Sequence, residues 1–239
     1  MNSKFLGTLA AASTLAVIVA TAGTANAASI SYTTSSGDFD YTDFEKTLSV
    51  QKFDSSLGTL NSVLLNFTGE ISGNAGFENR SSKASTVIVN LGATLDLTKA
   101  GLSLQPLFPI NPSNTYSYNV PRYDGRTDYD GISGRSIGDL TASQSISKLF
   151  TDTPSLSIFT GAGNLDFLFS AIATSTVTGS GNITSYINTL AKGNLSVTYD
   201  YDAPNPTRVP EPSALLGFGL VAGFGLLSQG KKARFQISK

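Results

Sequence analysis

The stretch Val87-Ile88-Val89-Asn90-Leu91-Gly92-Ala93-Thr94-Leu95-Asp96-Leu97 decides the fold of this 239-residue chain. Its apolar residues recur at every second position, and from Asn90 onward the intervening positions are polar or small. This period of two is typical of a β-strand with one buried face and one exposed face. The pattern therefore predicts a strand whose buried face consists of Val87, Val89, Leu91, Ala93, Leu95 and Leu97.

The same alternation occurs on both sides of this stretch and predicts four further strands. Their apolar positions are Leu48, Val50 and Phe53; Val63, Leu65 and Phe67; Leu165, Phe167, Phe169, Ala171 and Ala173, continued by residues 174–178; and Leu195, Val197, Tyr199 and Tyr201. Glycine-rich turns are predicted between them at residues 54–58, 73–76, 161–163 and 179–182. Several short strands with hardly any helical periodicity favour an all-β fold, an antiparallel β-sandwich.

Residues 105–139 show no clear period and are rich in Pro, Asn, Tyr and Gly. We expect a long ordered excursion over one end of the sandwich. Tyrosine rings and asparagine amides together can form a polysaccharide-binding surface, but a loop that covers the sandwich would use the same residues. Both interpretations remain open for Tyr116, Tyr118, Tyr123 and Tyr129 with Asn111, Asn114 and Asn119.

Three carboxylates, Asp124, Asp128 and Asp130, fall within seven residues of this segment, beside Gly125 and Gly131. Calcium takes six to eight oxygen ligands and is often held by loops in which glycine permits tight curvature. The spacing does not match an EF-hand. A turn stabilised by its own Asp side chains, with Arg122, Arg126 and Arg135 neutralising the acids, is the alternative to a calcium site.

Composition excludes many kinds of chemistry. The chain has no cysteine and no histidine, so a Ser-His-Asp or Cys-His site cannot form, and the usual zinc, copper and haem sites lose their ligands. Glu70 and Glu78 flank the predicted turn at residues 73–76 and could approach each other as a glycosidase pair would. Nothing else marks these two carboxylates as catalytic. We expect a protein that is not an enzyme and has no cofactor, calcium being the one metal left open.

The last residues of the chain carry a short apolar segment between distinctive flanks. Val209-Pro210-Glu211-Pro212 precedes an uncharged run, residues 214–227, and Lys231, Lys232 and Arg234 follow it. Spanning a bilayer takes roughly 20 apolar residues, so this run is a marginal span. The cations favour a cytoplasmic position for the chain end. The segment is typical of a temporary membrane anchor, and its glycines argue against a buried core helix.

This order of parts resembles the PEP-CTERM sorting signal of Gram-negative bacteria. The resemblance implies that residues 209–239 form a hydrophobic sorting helix and that an exosortase, a membrane protease, is a partner during export. The sorting motif would comprise Val209, Pro210, Glu211 and Pro212 with Lys231, Lys232 and Arg234. The resemblance thus implies export, processing by the exosortase and transient membrane anchoring.

The amino-terminal segment predicts the same destination. Lys4 precedes a largely apolar stretch, residues 5–22, and Ala25-Asn26-Ala27 is a small-x-small cleavage pattern. This is typical of a secretory signal peptide, residues 1–27, cleaved before Ala28. The mature chain would then carry eleven basic and sixteen acidic residues, a net charge near −5. That balance argues against nucleic acid as a partner.

A second resemblance covers most of residues 28–202. Phe53-Asp54-Ser55-Ser56-Leu57-Gly58-Thr59-Leu60, then Val63-Leu64-Leu65 and Glu78-Asn79, and the final Val197-Thr198-Tyr199-Asp200-Tyr201, resemble the choice-of-anchor E domain. The resemblance implies one sandwich domain displayed on a cell surface, followed by a linker at residues 203–208.

Together these patterns predict an exported, exosortase-processed β-sandwich protein. We expect it at the cell surface or in the extracellular matrix, membrane-anchored before processing, with a structural or adhesive role. The alternative is a polysaccharide-binding module that acts through the Tyr/Asn-rich segment 105–139.

Overall fold

The computed structural model describes residues 17–20, 27–102, 107–179 and 181–204. The strands are β1 (Val17–Ala20), β2 (Ala27–Ser35), β3 (Asp40–Tyr41), β4 (Phe44–Gln51), β5 (Thr59–Asn79), β6 (Ser85–Thr98), β7 (Phe108–Ile110), β8 (Ser113–Val120), β9 (Gly134–Phe150), β10 (Asn164–Ala173), β11 (Thr176–Gly179) and β12 (Ile183–Asp202). Among the described residues they are joined by one α-helix, α1 (Thr153–Phe159), and by a 3-10 turn at Ser55–Leu57.

The first sheet has the strand order β1-β2-β12-β5-β9, with β3 beside β12. Its two central strands, β5 and β12, pair antiparallel along their whole length, from Thr59 opposite Asp202 to Asn79 opposite Ile183. β9 pairs with the other edge of β5, with one register irregularity between Gly73 and Ala75. These long, regular ladders form a rigid platform, and the turn that follows β5 lies at one end of it.

The second sheet is built around β6. β10 and β11 follow one another along one edge of β6, while β7 and β8 follow one another along the other edge. β4 pairs with the far side of β10. The chain passes from one sheet to the other after β3, β4, β5, β8, β9 and β11. This antiparallel arrangement in two sheets confirms the predicted fold class.

The core lies between the two sheets and consists of the residues that the alternation predicts. Val87, Val89, Leu91, Ala93, Leu95 and Leu97 are all buried on one face of β6. Phe67 of β5 contacts Phe108 and Phe169 of the opposite sheet, with ring centroids 6.4 Å and 5.5 Å apart. The predicted inward positions of β4, β5 and β12 are buried as well. In β10 the pattern holds to Ala171, while Ala173 is exposed because the strand ends there.

Short polar caps set the ends of the smaller elements. Asp152 precedes α1 and accepts a hydrogen bond from the backbone N–H of Ser155, which satisfies one of the free donors of the first helical turn. The same hydrogen bond lowers the pKa of the Asp152 carboxyl. Gly58 ends the 3-10 turn at φ +143°, and a side chain there would collide with the backbone of Asp202. The predicted turn at residues 54–58 is confirmed.

Hydroxyl and amide side chains pair across strands on the outward faces of both sheets. Cross-strand hydrogen bonds link Ser31 with Thr198 at 2.7 Å, and Thr68 with Ser145 at 2.8 Å, on the first sheet. On the second sheet Thr115 donates to Asn90 at 3.1 Å. These uncharged cross-strand pairs contribute to the stability of the exposed faces.

Two predictions about the connections are wrong. Residues 73–76 form no turn, because this glycine-rich stretch continues β5 and pairs on both sides with β9 and β12. Residues 105–139 are also not one excursion, since they contain β7, β8 and the start of β9. In β8 the alternation is carried by half-buried Tyr116 and Tyr118 and by buried Val120, and tyrosine at inward positions hides the period of two.

Several predicted segments lie outside the described residues. These are Ala25 of the cleavage pattern, part of the linker, and the whole sorting motif, Val209, Pro210, Glu211, Pro212, Lys231, Lys232 and Arg234. The chain divides into two units after Pro204. Within the described ranges no helix has the length and apolar character needed to cross a membrane.

Candidate functional site

The end of β5 departs from the alternation of the rest of the strand. Ala75, Gly76, Phe77, Glu78 and Asn79 are all buried, and Glu78 and Asn79 have no exposed surface. A buried carboxylate and a buried amide are costly unless every polar atom finds a partner. Both side chains are used to hold the two segments that follow them in space, residues 80–84 and residues 121–134.

Glu78 fixes the segment between β8 and β9. One carboxylate oxygen accepts a hydrogen bond from the backbone N–H of Tyr129 at 3.0 Å, and the other accepts a short one from the hydroxyl of Ser133. That hydroxyl in turn accepts from the backbone N–H of Asp124 at 3.2 Å. Gly134 lies against the Glu78 carboxylate and the backbone of Asp130, so only glycine fits there. The network pins residues 124–134 onto the sandwich.

Asn79 fixes the turn between β5 and β6. Its amide N–H groups donate to the backbone carbonyls of Lys83 and Pro121, at 2.9 Å and 2.7 Å. Its carbonyl oxygen accepts from the backbone N–H of Ser81 at 3.0 Å. The backbone N–H of Tyr123 also donates to the carbonyl of Ser81. Residues 80–84 and 121–123 are therefore held side by side as two rigid walls.

Two adjacent depressions lie along these walls and share Ser82 and Arg122. The first, of about 720 Å³, extends between residues 82–86 and 119–122. The second, of about 540 Å³, is bounded by Arg80, Tyr123, Asp124 and Ile132 as well. We call the two together the end groove. It is open to solvent, and its walls offer hydroxyl, amide and cationic side chains.

The arginines of the described residues are concentrated around the end groove. All four arginines of the described residues, Arg80, Arg122, Arg126 and Arg135, come from the segments that surround it, and Lys83 is in the groove wall. The two ion pairs among the described residues lie elsewhere, between Lys46 and Asp40 and between Lys192 and Glu70. The prediction that arginines neutralise the nearby acids is thus not what these residues show.

The three predicted calcium ligands lie in the segment that Glu78 pins. Asp124 accepts a hydrogen bond from the backbone N–H of Arg126, and Asp128 accepts one from that of Asp130. These are turns closed by Asp side chains, as the alternative interpretation expects. In the part of the chain that the structure describes, no three carboxylates converge closely enough to hold a metal ion. The calcium site stays a prediction that ion binding would test.

The predicted tyrosine cluster is divided among three places. Tyr118 packs on Phe77, and the guanidinium of Arg135 lies over the Tyr118 ring, 5.0 Å from its centroid. Tyr116 accepts a hydrogen bond from Asn114. Tyr129 contacts Tyr186 edge to face, with ring centroids 5.1 Å apart. Of the four tyrosines, Tyr123 alone borders the end groove.

Glu70 and Glu78 do not form a carboxylate pair. They are eight residues apart on one continuous strand, which places them about 26 Å from each other at about 3.3 Å per residue. Glu70 is on the outward face, paired with Lys192 at 3.1 Å, and Glu78 is buried. The expectation that a turn brings them together is wrong because residues 73–76 remain extended.

The residues that build the end groove were not singled out as a site by the sequence. About 40 positions separate Arg122 from Arg80, Ser82 and Lys83. Antiparallel pairing of β6 with β8 brings the two groups together. One signal was present: Glu78 and Asn79 interrupt an apolar alternation just before a turn. Buried polar residues at the end of a strand often anchor a loop, and here they do.

Comparisons with known proteins identify no family for this chain. No family model matches it, and no curated protein matches it. A solved structure titled "Structure of infectious bursal disease virus Gx strain" aligns with 84% of this chain and 49% of its own at 12% identity and a TM-score of 0.10. The chain thus spans about half the length of that structure's chain. A likeness of that size carries no argument about fold or function.

Proposed function

We propose that the protein is an exported, exosortase-processed β-sandwich of the cell surface or extracellular matrix, structural or adhesive and without catalytic activity. The observation that carries the proposal is the position of the core between the two export-like segments. Among the residues whose burial is described, every buried hydrophobic residue lies between Ile30 and Tyr201. Removal of residues 1–27 would take away the edge strand β1, and removal of the tail from Val209 onward would follow it, but every one of these buried residues would be kept.

The surface of the sandwich supports a structural or adhesive role. Its outward faces carry serine, threonine and asparagine in cross-strand pairs, which suit repeated hydrogen bonding to a hydroxyl-rich surrounding. Fully buried Tyr199 donates to the backbone carbonyl of Gln51 at 2.8 Å and joins the sheets without a disulfide. A rigid domain held together in this way can persist outside the cell without cysteine chemistry.

Fractionation of the native host tests export and processing. The wild-type chain should be recovered outside the cell or on its surface. A chain with Pro210→Ala, Glu211→Ala and Pro212→Ala should accumulate unprocessed with the membrane. The matched control, Pro204→Ala, Asn205→Ala and Pro206→Ala, should behave as wild type. Recovery of all three chains from the cytoplasm would refute the proposal.

A second candidate function is polysaccharide binding, and the end groove favours it. The groove is an open channel and not a closed pocket, and it combines hydroxyl, amide and partly exposed apolar surface at Ser82, Asn119, Tyr123 and Ile132. Its second wall comes from the predicted segment 105–139. Ser82→Trp should block binding to immobilised polysaccharide, whereas Ser117→Trp on the outward face of β8 should not. Equal retention of both variants would exclude the groove.

A further inference from the structure

We propose that the end groove binds acidic polysaccharides through their carboxylate groups, an inference that rests on the polysaccharide function proposed above. The cations Arg80, Lys83 and Arg122 would recognise the carboxylates. Tyr123 and Ile132 would contact the sugar rings. The ligand class is a chain of uronic acid residues.

The three cations of the end groove are free to contact a ligand. In the part of the chain that the structure describes, the side chains of Arg80, Lys83 and Arg122 make no ion pair and no hydrogen bond with the protein. All three residues are exposed. Cations that are not engaged by the protein keep their full hydrogen-bonding capacity for a ligand. An arginine can contact a carboxylate with two parallel hydrogen bonds.

The second step is the charge of the surroundings. The predicted mature chain has a net charge near −5, so a cluster of cations is not a general property of its surface. The first depression has no acidic residue in its lining, and the second has one, Asp124. Asp124 directs one oxygen to the backbone N–H of Arg126. The groove is therefore a local region of positive charge on an acidic protein.

The third step is rigidity. The backbone on both sides of the groove is fixed by Asn79, which bonds Ser81, Lys83 and Pro121 from a fully buried position. Binding then has little backbone ordering to offset, which favours affinity. The cations are carried by long side chains on fixed walls and can adjust to the spacing of a ligand.

Apolar surface beside the cations favours a sugar polymer over a simple anion as the ligand. Ile132 is 62% exposed beside the second depression, and half-buried Tyr123 lies next to it. Apolar surface does not stabilise a bound inorganic anion, whereas the C–H face of a pyranose ring packs on such a surface. Two depressions that share Ser82 and Arg122 also suit successive units of a chain.

The test is affinity electrophoresis of residues 28–204, which contain the buried core residues from Ile30 to Tyr201, in gels with polygalacturonate, with neutral dextran or without polysaccharide. Polygalacturonate should retard the protein and dextran should not. The double variant Arg80→Gln/Arg122→Gln should lose affinity by about tenfold or more, because hydrogen bonds to charged groups exceed neutral ones in strength. The control Lys52→Gln/Lys148→Gln removes the same charge elsewhere and should bind as wild type.

The other outcomes overturn the inference in distinguishable ways. An equal loss in both double variants would mean unspecific attraction to the whole surface. Equal retardation by dextran would leave polysaccharide binding intact and remove the role of the cations. Tighter binding of single-stranded DNA, lost in Arg80→Gln/Arg122→Gln, would assign the groove to another polyanion. No retardation by any polymer, with the protein still found outside the cell, would leave the structural function and refute the ligand.

Discussion

The middle of the sandwich and its groove end are stabilised by different kinds of contact, although β5 runs through both. In the middle, β5 contributes Val63, Leu65 and Phe67 to an apolar interior. At the end it contributes Glu78 and Asn79, whose buried polar atoms are matched to named donors and acceptors. Apolar packing tolerates changes of shape to a degree, whereas a buried polar network fails when one partner is removed. The stability of the groove end should thus depend on hydrogen-bonding groups, and the stability of the middle on the volume of its buried side chains.

The largest effect should come from the middle. Phe167 is 1% exposed and belongs to the core cluster between the sheets. Phe167→Ala should lower the free energy of unfolding by roughly 3–5 kcal/mol, since it removes buried apolar surface and leaves a cavity. Thermal or urea unfolding of the purified sandwich measures this. A variant with an unchanged melting temperature would contradict the assignment of β10 to the core.

A substitution at the groove end should lower the free energy of unfolding by less, and it should do so through lost hydrogen bonds. Glu78→Ala leaves the N–H of Tyr129 and the hydroxyl of Ser133 without their acceptor, at a cost of about 2–4 kcal/mol for the two groups. Glu70→Ala on the same strand removes a partly exposed ion pair and should cost about 0–1 kcal/mol. Unfolding of the two variants side by side measures the contrast. Equal costs would mean that Glu78 is not the anchor of residues 124–134.

Calcium provides a test of the segment that Glu78 pins. If Asp124, Asp128 and Asp130 bind the ion, stability should rise by about 2.7 kcal/mol at a hundredfold excess of free calcium over Kd. Asp128→Asn should remove most of this gain and leave the calcium-free melt nearly unchanged. A melting temperature that does not move in millimolar calcium would leave the acidic segment as a turn closed by its own Asp side chains.

A smaller effect is expected at Tyr199, where the middle of the sandwich holds one buried polar contact. Tyr199→Phe deletes the hydrogen bond to the carbonyl of Gln51 and should cost about 1 kcal/mol at neutral pH. Burial raises the pKa of the Tyr199 hydroxyl above its ordinary 10.0. The raised pKa means that stability is full below pH 10 and falls above it, because the unfolded chain ionises first. Tyr199→Phe should reduce this alkaline loss, and an unchanged pH profile would contradict the burial.

The sequence predicted the middle of the molecule better than its end, for a physical reason. Strand alternation is a local property, and it correctly identified the inward residues of β4, β5, β6 and β12. Residues 73–76 were misassigned because glycine is common in turns, yet here Gly73 and Gly76 sit in a crowded ladder that leaves no room for a side chain. The context that keeps them extended comes from β9 and β12, which are distant in sequence.

The end groove depends even more on distant contacts. Its two walls meet because β8 pairs with β6, a pairing that half-buried Tyr116 and Tyr118 concealed by replacing the usual aliphatic residues. The tyrosines and the acidic segment were noticed because of their composition. Of the cations that border the groove, the sequence suggests a role for Arg122 alone, as a local partner of those acids. These cations form no ion pair with the acids, and this depends on side-chain distances, which no sequence pattern reports.

The measurement that tests the account most directly is the intact mass of the protein recovered from the native host. We predict a chain that begins at Ala28 and lacks the tail from Val209 onward, so that the sandwich without its edge strand β1 remains with its short linker. The buried hydrophobic residues, from Ile30 to Tyr201, would all be retained in such a chain. Recovery of a protein that still carries both Lys4 and Lys239 would contradict the export and processing on which the proposed function depends.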